Sequence, residues 1–134
     1  MREFFAKDVS ETELIGERLG KVLKSDDVVF LTGELGAGKT AFTRGIARGM
    51  GITSTVKSPT FTIVREYEGR LFHFDLYRIK SEEELFDIDF ESYLSRGTCV
   101  IEWPDAAREI TDCTVHADIV YKGDGRSITL NRDI

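Results

Sequence analysis

The sequence GELGAGKT, residues Gly33–Thr40, carries the clearest signal of fold in this chain. It matches the pattern G-x-x-x-x-G-K-[ST], in which successive backbone N–H groups surround a phosphate. Val28–Thr32 precedes it as a continuous apolar run with the length and β-branched content of a buried strand. Lys39–Met50 follows with apolar residues at helical spacing, and Gly51 offers a helix stop. A strand, a glycine loop and a helix in this order predict a phosphate-binding loop.

The residue types in this loop suit a triphosphate. Glycine lets backbone N–H groups approach phosphate oxygens more closely than a β-carbon permits, and the N-terminus of the helix adds partial positive charge. Lys39 supplies a positive charge for the β- and γ-phosphates. The Thr40 hydroxyl is placed to coordinate a Mg²⁺ ion that bridges them. We therefore expect a Mg²⁺–nucleotide complex at this loop.

Phosphoryl chemistry also needs a carboxylate near the metal, and two acids at predicted strand ends can supply it. Glu102 follows the short apolar run Thr98–Ile101, and Asp75 follows Leu71–Phe74. Either acid could hold Mg²⁺ directly or through water, or orient an attacking water. An ordinary surface acid is the alternative for each one taken alone.

The rest of the pattern predicts an α/β, P-loop NTPase-like fold. Ser10 and Glu13 have the spacing of a capping box, which predicts a helix from about Glu11 to Lys24 that begins at Ser10. Phe61–Tyr67 and Leu71–Tyr77 flank turn residues and predict an antiparallel hairpin. We expect a mixed β-sheet with flanking helices, with the nucleotide at the C-terminal ends of its strands.

Three further segments complete this expectation. Thr98–Glu102 reads as a short buried strand, and Ala117–Tyr121 with Ser127–Leu130 as a last hairpin. Ser81–Glu91 holds six acids among apolar residues, which predicts a helix or two short turns on the sheet. No linker or repeat divides the chain, so we expect one compact domain over residues 1–134.

Charge and composition exclude other classes of protein. Lys and Arg number 18 against 24 Asp and Glu, and a net charge of −6 argues against tight direct binding of RNA or DNA. Cys99 and Cys113 do not form a disulfide framework and show no zinc-ligand spacing. No apolar run has the length of a membrane span, so we expect a cytoplasmic protein without membrane contact.

The nucleotide is expected to be ATP. Switch GTPases usually carry Asn-Lys-x-Asp to read guanine, whereas the single asparagine here, Asn131, lies near the end of the sequence. A small-molecule kinase, the first alternative, needs an acceptor pocket and an arginine-bearing lid, for which this length leaves little room. A nucleotide-gated binding module without meaningful hydrolysis is the second. ATP hydrolysis coupled to a partner is preferred.

Four sequence blocks resemble the TsaE (YjeE) family, bacterial ATPases required for making threonylcarbamoyladenosine in tRNA. They occur in the order and at the spacing of that family: Gly33–Thr40, Lys57–Phe61 as KSPTF, His73–Arg78 as HFDLYR and Ile101–Pro104 as IEWP. The resemblance runs from about Ser10 to Pro104, with a weaker similarity at Gly125 and Arg126. One departure is Asp89, where relatives commonly have glycine.

The resemblance implies a role for each matching position. Thr40 and Glu102 correspond to the Mg²⁺ positions, Asp75 to the acid required for hydrolysis, and Lys39, Asp75 and Glu102 together to the catalytic set. Lys57–Phe61 corresponds to a switch-like loop beside the γ-phosphate, and about Val9–Thr12 to the segment near the adenine. The residues implied to contact ATP are Glu34, Leu35, Gly36, Ala37, Gly38, Lys39, Thr40 and Arg126.

The resemblance also implies the cofactors, the partners and the level of activity. ATP and Mg²⁺ are the cofactors, and hydrolysis is slow in the isolated protein and stimulated by partners. Those partners are the TsaD and TsaB proteins, so tRNA is met only through the complex. From the residues themselves, Trp103 could stack on a base, anchor a partner or be a core residue. Arg126 could be a plain hairpin cation and His73 a structural residue. The two hydroxyls of Ser58-Pro59-Thr60 could sense a γ-phosphate, and an ordinary Ser/Thr turn is the alternative.

Overall fold

A computed structural model describes residues 1–34, 36–57 and 63–134. The Ser58-Pro59-Thr60 turn, most of the predicted switch-like loop and the start of the predicted strand at Phe61 lie outside the described residues. In chain order the elements are β1 (Arg2–Ala6), α1 (Val9–Gly20), β2 (Val28–Gly33), α2 (Lys39–Gly49), β3 (Val64–Tyr67), β4 (Leu71–Asp75), α3 (Glu82–Asp87), α4 (Phe90–Leu94), β5 (Thr98–Glu102), a 3-10 helix (Pro104–Glu109), β6 (Val115–Lys122) and β7 (Gly125–Leu130).

The strands form one mixed sheet in the order β1-β7-β6-β2-β5-β4-β3. β2 runs parallel to β5 and β6, and β4 runs parallel to β5. The hairpins β3–β4 and β6–β7 are antiparallel, as the sequence predicts, and β1 adds an antiparallel edge next to β7. The expected fold class, a compact α/β domain with a mixed sheet and flanking helices, is confirmed.

Helices cover both faces of the sheet because buried side chains of the central strands alternate between two cores. Leu31 and Val100 belong to a core shared with Phe42 of α2 and with α1. Phe30 and Ile101, next along the same strands, belong to a second core shared with α3, α4 and the 3-10 helix. The continuous apolar runs of β2 and β5 thus reflect strands that are buried on both faces.

The register of the parallel strands brings their carboxyl ends to one edge of the sheet. Asp75 pairs with Glu102, and Glu102 pairs with Leu31, two residues before Gly33. Both predicted strand-end carboxylates therefore lie beside the loop that leaves β2.

The start and the end of the first helix differ from the prediction. Its N-cap is Asp8, which accepts a hydrogen bond from the Glu11 backbone N–H at 3.0 Å, and not Ser10. Glu11 accepts in turn from the Lys7 N–H at 2.8 Å, one residue before the N-cap. Asp8 and Glu11 therefore form an arrangement similar to a capping box, two residues before the predicted one. Glu13 is then left to pair with Arg44 of α2 at 2.5 Å. The helix ends at Gly20, before the predicted Lys24.

Other predicted boundaries move by a few residues. β4 ends at Asp75 instead of Tyr77, because the Asp75 side chain accepts the Tyr77 N–H at 3.0 Å and turns the chain out of the sheet. The acidic segment forms two short helices, α3 and α4, as one of the two options predicted. Asp89 lies between them with φ of 58°, a left-handed conformation that Asp tolerates better than most residues.

Among the described residues, no helix combines the length and the apolar character needed to span a membrane.

Candidate nucleotide-binding site

The loop between β2 and α2 has the backbone geometry that its glycines predict. Gly33, Gly36 and Gly38 have φ of 150°, 81° and 112°, where side chains are disfavoured. A β-carbon on Gly33 would lie 2.5 Å from the Ile119 carbonyl oxygen, and one on Gly36 would lie 2.9 Å from the Tyr121 hydroxyl. Glycine at positions 33 and 36 is therefore what lets the loop backbone pack this closely against its neighbours. Leu35, a predicted contact, lies outside the described residues.

The N-terminus of α2 is open to an anion. α2 begins at Lys39 after Gly38, and no side chain among the described residues caps it. Its first turn carries no acidic residue, so no carboxylate of its own competes for the helix dipole. The half-buried Thr40 lies in this first turn. Thr12 of α1 lies close by, 3.7 Å from the position of a β-carbon on Gly38, which brings the Val9–Thr12 segment beside the loop.

Lys39 spans the loop from α2 back to the end of β2. Its Nζ donates a hydrogen bond to the Gly33 carbonyl oxygen at 2.7 Å, and the side chain is only 6% exposed. The ammonium lies 3.9 Å from Oε1 of Glu102. Burial lowers the pKa of Lys39, and the charges of Glu102 and Asp75 offset part of that effect. A ligand phosphate could replace the Gly33 carbonyl as the acceptor of this ammonium.

Glu102 and Asp75 occupy the adjacent ends of β5 and β4. Glu102 is buried, and its Oε2 lies 2.5 Å from Nε2 of His73, within hydrogen-bond distance. Asp75 is half-buried, and its side chain accepts a hydrogen bond from the Tyr77 N–H at 3.0 Å. The structure thus brings together the three residues predicted as the catalytic set, since Glu102 lies 3.9 Å from the Lys39 ammonium and pairs with Asp75 across the sheet.

The donor set suits Mg²⁺ held jointly with a phosphate ligand. Within residues 1–34, 36–57 and 63–134, no three His, Cys, Asp or Glu side chains converge to hold a metal by themselves. Oxygen donors near the loop include the carboxylates of Glu102 and Asp75, which pair across β5 and β4. Thr40 contributes a hydroxyl from the first turn of α2. Mg²⁺ prefers oxygen ligands and usually keeps several waters, with one or two carboxylates and substrate phosphates completing the shell. The residues therefore fit a Mg²⁺–nucleotide complex better than a metal bound alone.

Arg126 of β7 contacts the loop backbone. Its Nε donates to the Ala37 carbonyl oxygen at 2.9 Å, and its NH2 to that of Gly36 at 3.4 Å. Its guanidinium carbon lies 4.2 Å from the centroid of the Tyr121 ring. Arg126 is therefore part of the site's support and not a plain hairpin cation.

Trp103 and His73 lie at the site, although the residues alone left the role of Trp103 open and indicated a structural role for His73. Trp103, which could have been a core residue, is half-buried with φ of 54°, and its ring centroid lies 3.9 Å from Lys39 Nζ and 5.0 Å from that of Tyr77. His73 contacts Glu102 directly. The period of two along β4 is the signal for His73, because it places His73 on the same face as Asp75.

A separate cavity of about 320 Å³ lies at the opposite end of the sheet. Lys21, Lys24, Arg70 and Arg96 line it. Arg70 donates a hydrogen bond to the Met50 carbonyl oxygen at the end of α2. Arg96 forms an ion pair with Glu66, and Lys21 forms one with Glu17. A helix end and nearby acids account for Arg70, Arg96 and Lys21, so these cations do not point to a ligand in this cavity.

Comparison with known proteins identifies the family. Residues 6–132 match the family model described as "Threonylcarbamoyl adenosine biosynthesis protein TsaE". The chain is 41% identical to the tRNA threonylcarbamoyladenosine biosynthesis protein TsaE of Treponema pallidum, covering 93% of this chain and 96% of the relative. It is 35% identical to the protein of the same name from Nostoc sp., covering 93% of this chain and 82% of that one.

A solved structure agrees with this assignment. The crystal structure of YdiB from Bacillus subtilis superposes with a TM-score of 0.76 at 32% identity, covering 96% of this chain and 83% of that chain. Sequence and fold therefore agree over nearly the whole length, and the chain belongs to the TsaE family of threonylcarbamoyl adenosine biosynthesis proteins.

Proposed function

We propose that this chain binds ATP with Mg²⁺ and hydrolyses it as the P-loop component of a tRNA-modification complex. The observation that carries the proposal is the position of Lys39, which joins the glycine loop through Gly33 and lies 3.9 Å from Glu102. A phosphate cradle next to strand-end carboxylates is the arrangement that phosphoryl transfer to water requires.

The nucleotide-binding part of the proposal rests on the loop and the start of α2. Glu34–Thr40 bind the phosphates through backbone N–H groups, and Lys39 moves its ammonium from the Gly33 carbonyl to the β- and γ-phosphate oxygens. Arg126 keeps two loop carbonyls turned away from the ligand through its hydrogen bonds to Gly36 and Ala37. The first turn of α2 has no acidic residue, and no described side chain caps it, which supports an anionic ligand here.

The hydrolytic part rests on the strand-end acids. Mg²⁺, when bound, neutralises charge on the phosphates, and Thr40 and Glu102 are the residues that would hold it. Asp75 orients water, since its carboxylate is half-buried beside Glu102. Lys39 stabilises negative charge that develops on the phosphates.

Family membership supports action within an assembly, and we propose TsaD and TsaB as the other members. A net charge of −6 suits a component that leaves tRNA to its partners. We propose that residues 1–134 act as a single domain and that the protein works in the cytoplasm with the tRNA-modifying complex.

The test is phosphate release from labelled ATP by the pure chain, with and without a purified TsaD–TsaB complex. We expect slow Mg²⁺-dependent release by the chain alone and faster release with the complex. Nucleotide binding without release under either condition would favour a nucleotide-gated binding module. Label transferred to a small molecule would favour a kinase, and either result would contradict the proposal.

A further inference from the structure

His73 is a fully buried polar side chain at the edge of the candidate site. It is 0% exposed on β4, two residues before Asp75, so the two side chains share one face of the strand. Val100, its direct partner on β5, lies two residues before Glu102. This register places Glu102 diagonally across from His73, and the Nε2–Oε2 distance is 2.5 Å.

The second ring nitrogen of His73, Nδ1, is buried and has no hydrogen-bond partner within the part of the chain that the structure describes. Arg65 lies opposite His73 on β3 but does not bond Nδ1, and its own Nε also has no partner among the described residues. An unpaired buried nitrogen costs free energy that a Phe or Leu side chain would avoid. Packing alone therefore does not account for a histidine here, whereas the contact to Glu102 does.

The contact divides the two oxygens of Glu102 between two neighbours. Oε2 faces His73, and Oε1 lies 3.9 Å from Nζ of Lys39. Because an ionised carboxylate only accepts hydrogen bonds, the proton in the contact is assigned to Nε2 of His73. Without that donor, the flexible Glu102 side chain would be free to shorten its 3.9 Å ion pair with Lys39. A tighter ion pair would hold both charges away from a nucleotide.

We propose that His73 is a positioning residue, whose Nε2–H holds Oε2 of Glu102 so that Oε1 stays turned toward Lys39 and the bound Mg²⁺–nucleotide. The inference rests on the proposed function. His73 acts through Glu102 and needs no contact with the nucleotide or the metal. Hydrogen-bond partners of metal-binding carboxylates typically contribute roughly 10-fold to 100-fold in metal affinity or activity, and we expect a similar effect here.

Two variants separate positioning from packing. His73→Gln keeps an N–H donor near the position of Nε2, and His73→Phe fills the space without a donor. His116→Phe is the matched control, since His116 is the chain's other histidine and also contacts a neighbouring strand, with Nε2 3.1 Å from Oγ1 of Thr32. Thermal unfolding of each purified variant shows whether it is folded.

The measurements are the dissociation constant of ADP without Mg²⁺, and the Mg²⁺ concentration that gives half-maximal ATP binding and hydrolysis. We expect His73→Phe to keep its metal-free affinity for ADP but to need about 10-fold to 100-fold more Mg²⁺, or to hydrolyse ATP slower by that factor. His73→Gln and His116→Phe should stay near the wild type. Long-range ¹H–¹⁵N spectra of the ligand-free wild type should show the His73 proton on Nε2.

Normal Mg²⁺ dependence and hydrolysis in His73→Phe would overturn the inference. A His73→Gln variant as impaired as His73→Phe, or a proton on Nδ1, would overturn it as well. Loss of metal-free ADP binding together with a lowered unfolding temperature in both variants would mean that His73 only supports the sheet. A wild type that binds ATP but releases no phosphate contradicts the proposed hydrolysis alone, because the Mg²⁺ dependence of binding still tests His73.

Discussion

The ammonium of Lys39 lies 3.9 Å from the centroid of the Trp103 ring. Trp103 directly follows the last residue of β5 and has φ of 54°, a region that bulky residues rarely adopt. Strained backbone is often found at functional sites, where the surrounding structure maintains it. The negative face of the indole attracts the cation, so the pair holds Lys39 at the site when no phosphate is bound.

We expect the fluorescence of Trp103 to change when a nucleotide binds, because Lys39 moves from the ring toward the phosphates. Trp103 is the only tryptophan in the chain, so the signal has a single source. Emission is measured during titration with ADP and ATP, and Lys39→Ala should show neither binding nor the change. Unchanged emission at a nucleotide concentration that calorimetry shows to be saturating would contradict this account.

Replacing Arg126 by alanine should weaken nucleotide binding about tenfold, which corresponds to the loss of one or two hydrogen bonds. The reason is that Arg126 holds the carbonyls of Gly36 and Ala37. Calorimetric titration with ADP measures the effect. Arg132→Ala is the control, because its Nε makes one long contact of 3.4 Å to the Asp133 carbonyl. Equal affinities for the two variants would show that Arg126 does not organise the loop.

Alanine at Gly36 and at Gly51 should have similar costs in stability but different effects on binding. Their φ angles are 81° and 80°, so each substitution should cost about 1–2 kcal/mol of unfolding free energy. Only Gly36 lies in the loop, where a β-carbon would meet the Tyr121 hydroxyl at 2.9 Å, while nothing lies within 4 Å at Gly51. Chemical denaturation and ADP titration measure the two effects. ADP binding by Gly36→Ala as tight as that of Gly51→Ala would contradict the role assigned to the loop backbone.

The two cysteines should differ in reactivity with pH. Burial raises the pKa of Cys99 to about 12, so its thiol stays protonated at pH 8 and does not act as a nucleophile. Cys113 is half-buried. Mass spectrometry after iodoacetamide treatment at pH 8 should find modification only at Cys113 in the folded protein and at both cysteines in denaturant. Rapid modification of Cys99 in the folded state would be inconsistent with its buried position.

The loop and the catalytic carboxylates could be predicted because their signals are local in sequence. Gly33–Thr40 is a contiguous pattern, and Asp75 and Glu102 each end an apolar run. Parallel strands then bring such ends to one edge of the sheet, a rule that needs no knowledge of side-chain contacts.

Contacts that depend on strand register could not be predicted from the residues alone. The bond from Arg126 to Ala37 joins residues 89 apart in sequence, and the contact of His73 with Glu102 depends on how β4 aligns with β5. β1 forms only by pairing with β7, near the other end of the chain. The predicted start of α1 at Ser10 was wrong. Asp8 and Ser10 are both good N-cap residues with an acid three residues later, and sequence spacing does not show which of them caps the helix.

Single-turnover phosphate release by Asp75→Asn and Glu102→Gln tests most directly whether the strand-end acids complete the nucleotide site. Both variants should still bind ADP without Mg²⁺, while release of phosphate from ATP should fall by roughly 100-fold or more. Asp118→Asn is the control, a half-buried strand carboxylate that accepts a hydrogen bond from Thr32 at 2.7 Å; it should release phosphate at the wild-type rate. Release by Asp75→Asn and Glu102→Gln as fast as by the wild type would contradict the account.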